Sequence, residues 1–386
     1  MKIEQADIYL VPTGNRRAVL VELTSDDGIT GVGEAGVAYG IGHRAAAEML
    51  RGMIEAHVLG RDPSSINAIW HDIYDLSFWA RNGGVISYAA LSAIEIALWD
   101  MKAKALGVPI YELLGGALRH ALPVYANGWW IGCDTPDELA RAGAATVERG
   151  FAGLKFYPLG VADPVSVVRH PTRRALDARL IPLVCDRVAA LRNAVGPDIE
   201  IMLDFGGGLT IDQVLRICRR IEQFDVLFIE EAVDPSNPDA LAAVARDTTI
   251  PMAAGERCYG RTQFERLIRA GAVSIVQPDI CNTGGLMEAR IISAMAEASN
   301  LRVAPHNYGS TVATAASVQL AACIPNFMVL ECFPDFDKEP SYLGIVKNPL
   351  EATVERGTMP IPTTPGLGVT LDHTALQPHR YARCRA

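Results

Sequence analysis

At 386 residues, with 49% hydrophobic and 20% charged side chains, the chain is too long for one small core and too apolar for a disordered one. Two domains, or one large barrel with an addition, is the expected layout. A formal charge of −9 excludes the basic footprint of a nucleic-acid or acidic-membrane binder.

The start, MKIEQADIYLVP, has neither the long apolar core nor the small-residue cleavage site of a signal peptide. No apolar run reaches the roughly 18 residues that span a bilayer. Residues 18–24 (AVLVELT) alternate as a strand, Asp27-Gly28 marks a tight turn, and 29–34 form the returning strand. Helical stretches follow, the clearest over 87–106. There Leu91, Ile94, Leu98, Met101 and Ala105 recur at helical spacing until Gly107-Val108-Pro109 stops the run. Leu113-Leu114-Gly115-Gly116 then leads into a different regime. From about residue 121 short apolar runs alternate with amphipathic stretches. Strands are expected at 123–127, 153–157, 200–205, 226–231, 250–256, 274–279, 302–306 and 328–333, with helix-like segments such as 210–223 and 285–298 between them. Eight βα-type units imply a parallel sheet, and a closed barrel is the commonest arrangement of eight. After Pro334 the alternation stops, and a Pro- and Gly-rich tail has room for a few short strands. The expected division is therefore 1–120, 121–333 and 334–386. The eight cysteines, at 133, 185, 218, 258, 281, 323, 332 and 384, form no CxxC pair and suit free thiols in a reducing cytoplasm.

The strand ends share a feature. Asp204 ends EIMLD, Glu230 sits in LFIEE 26 residues on (204 to 230), and Glu256 ends PMAAGE after 26 more (230 to 256). Asp279 ends IVQPD after 23, His306 ends VAPH after 27, and Glu331 sits in MVLE after 25. Each βα unit returns an ionisable residue to the C-terminal end of its strand, and in a barrel those ends converge where active sites are built. Burying unpaired carboxylates costs several kcal/mol each, so chance is a poor account of the gathering.

Three carboxylates from consecutive strands suit a hard divalent cation such as Mg²⁺. Glu231 and Arg257, beside two of them, are expected to face away and support the site. His306 with Asp279 has the form of an imidazole oriented by a carboxylate, against the blander reading of a core histidine bonded to backbone. Lys155, expected across the mouth, could serve as a base if a nearby metal lowered its pKa; the blander reading is a rim lysine. A cation flanked by bases suits removal of the weakly acidic proton next to a carboxylate.

With ALSAIEIALWDMKAKALGVPIYELLGG, the LD, IEE and GE strand ends, QPDICNTGG, APHNYGS, VLE and PGLGV together, the chain resembles the enolase superfamily over almost its whole length. The closer likeness is to the mandelate racemase/muconate lactonizing enzyme branch. The resemblance implies a modified TIM barrel, (β/α)7β, under an N-terminal α+β capping domain completed by the C-terminal tail. It implies Mg²⁺ on Asp204, Glu230 and Glu256, a His306–Asp279 dyad, and Glu331 bonded to a substrate carboxylate oxygen.

Two positions depart from the family pattern. The expected KxK reads Lys155-Phe156-Tyr157, leaving Tyr157 in place of the usual base, and Gly206 stands where many relatives have Asn or His. Substrate contacts are expected from capping loops, with Arg16, Arg17, Trp79 and Arg81 as candidates and Trp129-Trp130 as a pocket wall. The expectation is a cytoplasmic, Mg²⁺-dependent lyase, a homo-oligomer that dehydrates an acid sugar and has no nucleic-acid or membrane partner. A racemase, epimerase or cycloisomerase would share its first steps. A metal-dependent hydrolase would recruit more histidines than His306, and a non-catalytic binding protein would have lost a ligand or base.

Overall fold

The N-terminal sheet starts one strand earlier than the sequence pattern indicates. In the computed structural model, which describes residues 1–13, 16–159, 161–162, 168–169, 180–334 and 343–386, β1 (Ile3–Thr13) pairs antiparallel with β2 (Arg16–Ser25), and β2 with β3 (Thr30–Ala35). Two features hide β1. A register shift between Ile3 and Gln5 breaks its alternation. Both of its faces are also covered, since Ala6 and Ile8 are buried and so are Asp7, Tyr9 and Val11. Arg16 and Arg17 accordingly lie on β2, not before the first strand. Gly28, at φ 85°, makes the turn into β3.

Helices α1 (His43–His57), α2 (Ile66–Leu76) and α3 (Val85–Leu106) follow. α3 is buried nearly all round, including Glu95 and Asp100, although Ala105 is exposed and Ala103 takes the inward position expected of it. It packs directly onto β3. A Cβ on Gly31 would stand 2.1 Å from the Ala97 carbonyl oxygen, and one on Gly33 2.0 Å from that of Ala93. Gly107 ends α3 in the left-handed conformation, and the single turn α4 (Ile110–Leu113) leads to the barrel.

Barrel strands β4 (Ala121–Ala126) and β5 (Gly153–Phe156) are followed by a two-residue pair, β6 (Val161–Ala162) and β7 (Val168–Arg169), outside the main sheet. Then come β8 (Glu200–Asp204), β9 (Val226–Glu230), β10 (Met252–Ala254), β11 (Ile275–Val276), β12 (Arg302–Val303) and β13 (Leu330–Cys332). The barrel strands run parallel in chain order, and β13 returns to pair with β4. A parallel bridge between Val303 and Phe327 closes the remaining gap between β12 and β13. Among the described residues seven helices separate the eight strands: α5 (Pro136–Glu148), α6 (Leu180–Val195), α7 (Ile211–Ile221), α8 (Pro238–Arg246), α9 (Gly260–Arg269), α10 (Leu286–Ala298) and α11 (Thr311–Cys323). The architecture is (β/α)7β. Tyr125, Met202, Phe228, Ala253, Ile275 and Ala304, from six strands or their immediate ends, form a separate inner core.

The last part of the chain works back along both units. β14 (Thr358–Pro360) pairs with β4, and β15 (Arg380–Arg385) adds to the N-terminal sheet beside β1, after the short helix α12 (His373–Leu376). Buried carboxylates join the N-terminal elements to the barrel. Glu34 accepts from the backbone N–H groups of Ser310 and Ala313 at the start of α11. Glu95 does the same for Leu286 and Met287 at the start of α10. A helix N-terminus favours a negative charge, yet burial still pushes both carboxyls up to about 7. Asp100 accepts from Val32 and Leu367 N–H groups and pairs with Lys104, tying β3 and the tail to α3. Among the described residues no helix is long and apolar enough to cross a membrane.

Candidate active site

The strand ends meet at the barrel mouth. β10, β11 and β12 end two or three residues before Glu256, Asp279 and His306, because there the chain leaves the ladder and turns into the mouth. Asp204 and Glu230 lie side by side in register on β8 and β9. Burial, then the charges of Glu230 and Glu256, push the Asp204 carboxyl up to about 8, and burial is the main cause that takes Glu256 up to about 7. Ligand atoms of Glu230, Glu256 and His306 all lie within 4.8 Å of one another, a group that could hold a metal ion. This grouping differs from the expected trio in containing His306 and not Asp204.

Glu230 is shared between two kinds of contact. Its Oε2 accepts from Lys155 Nζ at 2.6 Å and from Gln277 Nε2 at 2.8 Å, while Oε1 is buried with no hydrogen-bond partner among the described residues. A buried, bare carboxylate oxygen beside two acids that burial holds toward neutrality is an oxygen-rich position short of positive charge. That fits a divalent cation.

Lys155 is not a rim lysine. It is 1% exposed and bonds to Glu230 and, at 2.7 Å, to Glu331 Oε1. Burial pulls its pKa down, but the two carboxylates outweigh burial and hold it well above the ordinary lysine value. Both contacts pair its Nζ with a buried carboxylate. Glu331, below the usual carboxylate range because Lys155 and then His306 offset its burial, also accepts from Asn127 Nδ2 at 2.7 Å and from the Asn307 N–H at 2.9 Å.

His306 Nδ1 bonds to Asp279 Oδ2 at 2.8 Å, leaving Nε2 facing Glu256 Oε2 at 3.1 Å. Burial opposes the charged ring, but Glu256 and the bond from Asp279 raise it to about 10. Asp279 is itself anchored by the Cys281 N–H. Tyr157 is buried against Trp130, with ring centroids 6.2 Å apart, and burial together with Asp204 pushes its phenol well above the ordinary value. Glu231 lies just past β9 at φ 44°, and its carboxylate pairs with the Arg257 guanidinium, which also reaches Glu256 at 3.4 Å.

The capping-loop candidates separate. The Arg16 guanidinium is buried 3.5 Å from the ring centroid of Tyr308, two residues after His306, and 4.6 Å from that of Phe333. Arg17 donates to the Arg16 carbonyl. Trp79, 74% exposed, packs edge-on against Phe78, and Arg81 pairs with Asp75 on the surface. Trp129 is buried and donates to the Lys155 carbonyl, so it serves packing, whereas Trp130 stands on Tyr157. Sequence reasoning missed Gln277 and Asn127. Each had a signal, since Gln277 precedes Asp279 by two residues and Asn127 follows the end of β4.

A (β/α)7β barrel with acids and one histidine on successive strand ends, beside an α+β sheet, is an enzyme-type barrel whose mouth gathers a group that could hold a metal ion. The family described as Enolase C-terminal domain-like matches residues 138–375, and the mandelate racemase/muconate lactonizing enzyme N-terminal domain matches 8–115. The chain belongs to the enolase superfamily, in its mandelate racemase/muconate lactonizing enzyme branch. It is 34% identical to a D-galactonate dehydratase of Ralstonia pickettii (strain 12J), covering 96% of this chain and 92% of that one. It is also 34% identical to a D-gluconate dehydratase of Thermoproteus tenax, over 98% and 73%. A crystal structure from Mesorhizobium loti, proposed to be a dehydratase, superposes with a TM-score of 0.95 at 46% identity over 100% of both chains. A member of the enolase superfamily from Salmonella Typhimurium does so at 0.93 with 32% identity, again over 100% of both.

Proposed function

We propose that this protein is a lyase that dehydrates an acid sugar, with D-galactonate and D-gluconate as the first substrates to test because relatives carry those names. In this reading Asp204, Glu230 and Glu256 hold Mg²⁺, and residues 1–120 with 334–386 cap the barrel of 121–333 in a homo-oligomer. When bound, the cation would supply positive charge to a carboxylate substrate. Lys155 and Glu331 orient the carboxylate. His306, fixed through Nδ1 by Asp279, presents Nε2 to the substrate. It takes the α-proton and returns a proton to the departing β-hydroxyl, which leaves as water; the resulting enol tautomerises to a 3-deoxy-2-keto acid.

The observation that carries dehydration over racemisation is that one proton carrier is left. Lys155 Nζ is taken up by Glu230 at 2.6 Å and Glu331 at 2.7 Å, and Tyr157 occupies the position where the family pattern has its second lysine. A racemase needs competent groups on both faces of the α-carbon. The test is to incubate mono- and diacid sugars with enzyme and Mg²⁺ in D₂O. A keto-acid product with no α-epimer in recovered substrate is expected. An α-epimer as the main product would replace this reading with a two-base reaction.

A further inference from the structure

We infer that Asn127 is a positioning residue that couples the pocket wall to the carboxylate facing the substrate, and that its two amide ends do two separable jobs. Its Nδ2 donates to Glu331 Oε1 at 2.7 Å. Its Oδ1 accepts from Trp130 Nε1 at 3.0 Å and from the Gly128 N–H at 2.7 Å. Both ends of one amide are thus committed, to groups on opposite sides of it.

The surroundings explain why this arrangement holds. β13, which carries Glu331, lies beside β4, and the Asn127 N–H continues that ladder by donating to the Cys332 carbonyl. Gly128 then turns at φ 79°, and a Cβ there would stand 3.0 Å from the Phe333 ring. The turn brings the Trp130 indole back over Asn127 and sets its ring on Tyr157. On the far side of Glu331, Oε2 accepts from the backbone of Asn307, next to His306. The chain of contacts Trp130–Asn127–Glu331–Asn307 therefore runs from the wall across β13 to the residue after the proton carrier.

An aspartate at 127 would keep the acceptor for Trp130 but would lose the donor and set a second negative charge against Glu331. A leucine would remove both ends while keeping the volume. Asn127 is half-buried, and far-UV circular dichroism checks that both variants retain the fold. The inference rests on the reading of Glu331 as a substrate-facing group, so the experiment has one arm that needs no substrate.

In that arm, the near-UV circular dichroism of each protein minus its Trp130→Phe counterpart isolates the Trp130 band. The band should persist in Asn127→Asp and be lost in Asn127→Leu. In the kinetic arm, with the acid sugar the wild type dehydrates, Asn127→Asp should lower kcat by about 10- to 100-fold with KM nearly unchanged. Trp130→Phe should raise KM by roughly 2- to 10-fold with kcat nearly unchanged. Adding it to Asn127→Leu should raise KM no further. A merely structural role would give neither this kcat-against-KM split nor the non-additivity. A Trp130 band unaltered in Asn127→Leu, or lost in Asn127→Asp, would overturn the inference whatever the substrate. If no acid sugar is dehydrated by the wild type, the functional reading fails and the spectroscopic arm still decides the coupling.

Discussion

Replacing Lys155 with methionine isolates what its charge does, because the side chains are similar in length and the site is buried. The ammonium touches Glu230 at 2.6 Å and Glu331 at 2.7 Å. Removing one member of a buried ion pair costs about 3–5 kcal/mol, since the remaining charge is left uncompensated. Here the lower end applies. Glu230 keeps the Gln277 amide, and Glu331 keeps Asn127 and the Asn307 N–H. About 3 kcal/mol corresponds to a change of roughly 150-fold in the folded-to-unfolded ratio. The pH dependence has a definite sign. Glu331 is depressed in the wild type, so its stabilisation is present above its unfolded pKa and lost as pH falls. The deficit of Lys155→Met should accordingly be largest near pH 8 and shrink toward pH 5, where the orphaned carboxylates take up protons. Urea denaturation in EDTA at both pH values measures it, and excess Mg²⁺ should reduce it by replacing part of the lost charge. A deficit below about 1 kcal/mol at pH 8, or one that grows on acidification, would refute the ion-paired assignment.

Other expectations follow from the same geometry. His306→Asn should abolish both dehydration and α-proton exchange while the far-UV circular dichroism shows the fold retained. Tyr157→Phe should slow turnover by less than about tenfold, because a phenol held neutral contributes its ring and not a base; inactivity of this variant would give Tyr157 a catalytic proton. Glu230→Gln should weaken Mg²⁺ binding at least tenfold by calorimetry, since an amide replaces the anionic oxygen now buried without a partner. Glu34, raised from 4.5 to about 7 by burial, should make the fold lose about 3 kcal/mol as pH climbs from 4.5 to 7, because the unfolded chain ionises first. Urea midpoints of Glu34→Gln across that range should show a flatter slope than the wild type.

The barrel was legible because its signal is local and repeats. Each strand buries a short apolar run, each helix covers one, and the acid at the strand end recurs at nearly fixed spacing. Strand β1 was not legible, because both its faces are covered and a register shift breaks the alternation that would mark it. The docking carboxylates escaped notice for a related reason. Glu95 and Asp100 lie on a helix whose apolar stripe was visible, but polar residues within a helix normally read as its solvent face. Their partners are backbone N–H groups of Leu286, Met287 and Leu367, nearly two hundred or more residues away, and no spacing announces them.

The site shows the same limit in a form that bears on mechanism. Position could be read from strand period, and His306 with Asp279 stands where the period put it. Protonation could not, because it depends on distances between strands far apart in sequence. Lys155 on β5 meets Glu230 on β9 and Glu331 on β13, and those two contacts reverse the direction in which a neighbouring cation alone would move its pKa. The consequence reaches Tyr157. Lys155 is taken up by two carboxylates, and the Tyr157 phenol is raised first by burial and then by the charge of Asp204. In the proposed reading, tyrosine in place of the family pattern's lysine removes a base from one face of the site. With Gly206 offering no side chain on the third strand, the proposed reading leaves proton traffic to His306, and a single carrier that can take a proton and return one is what an elimination requires.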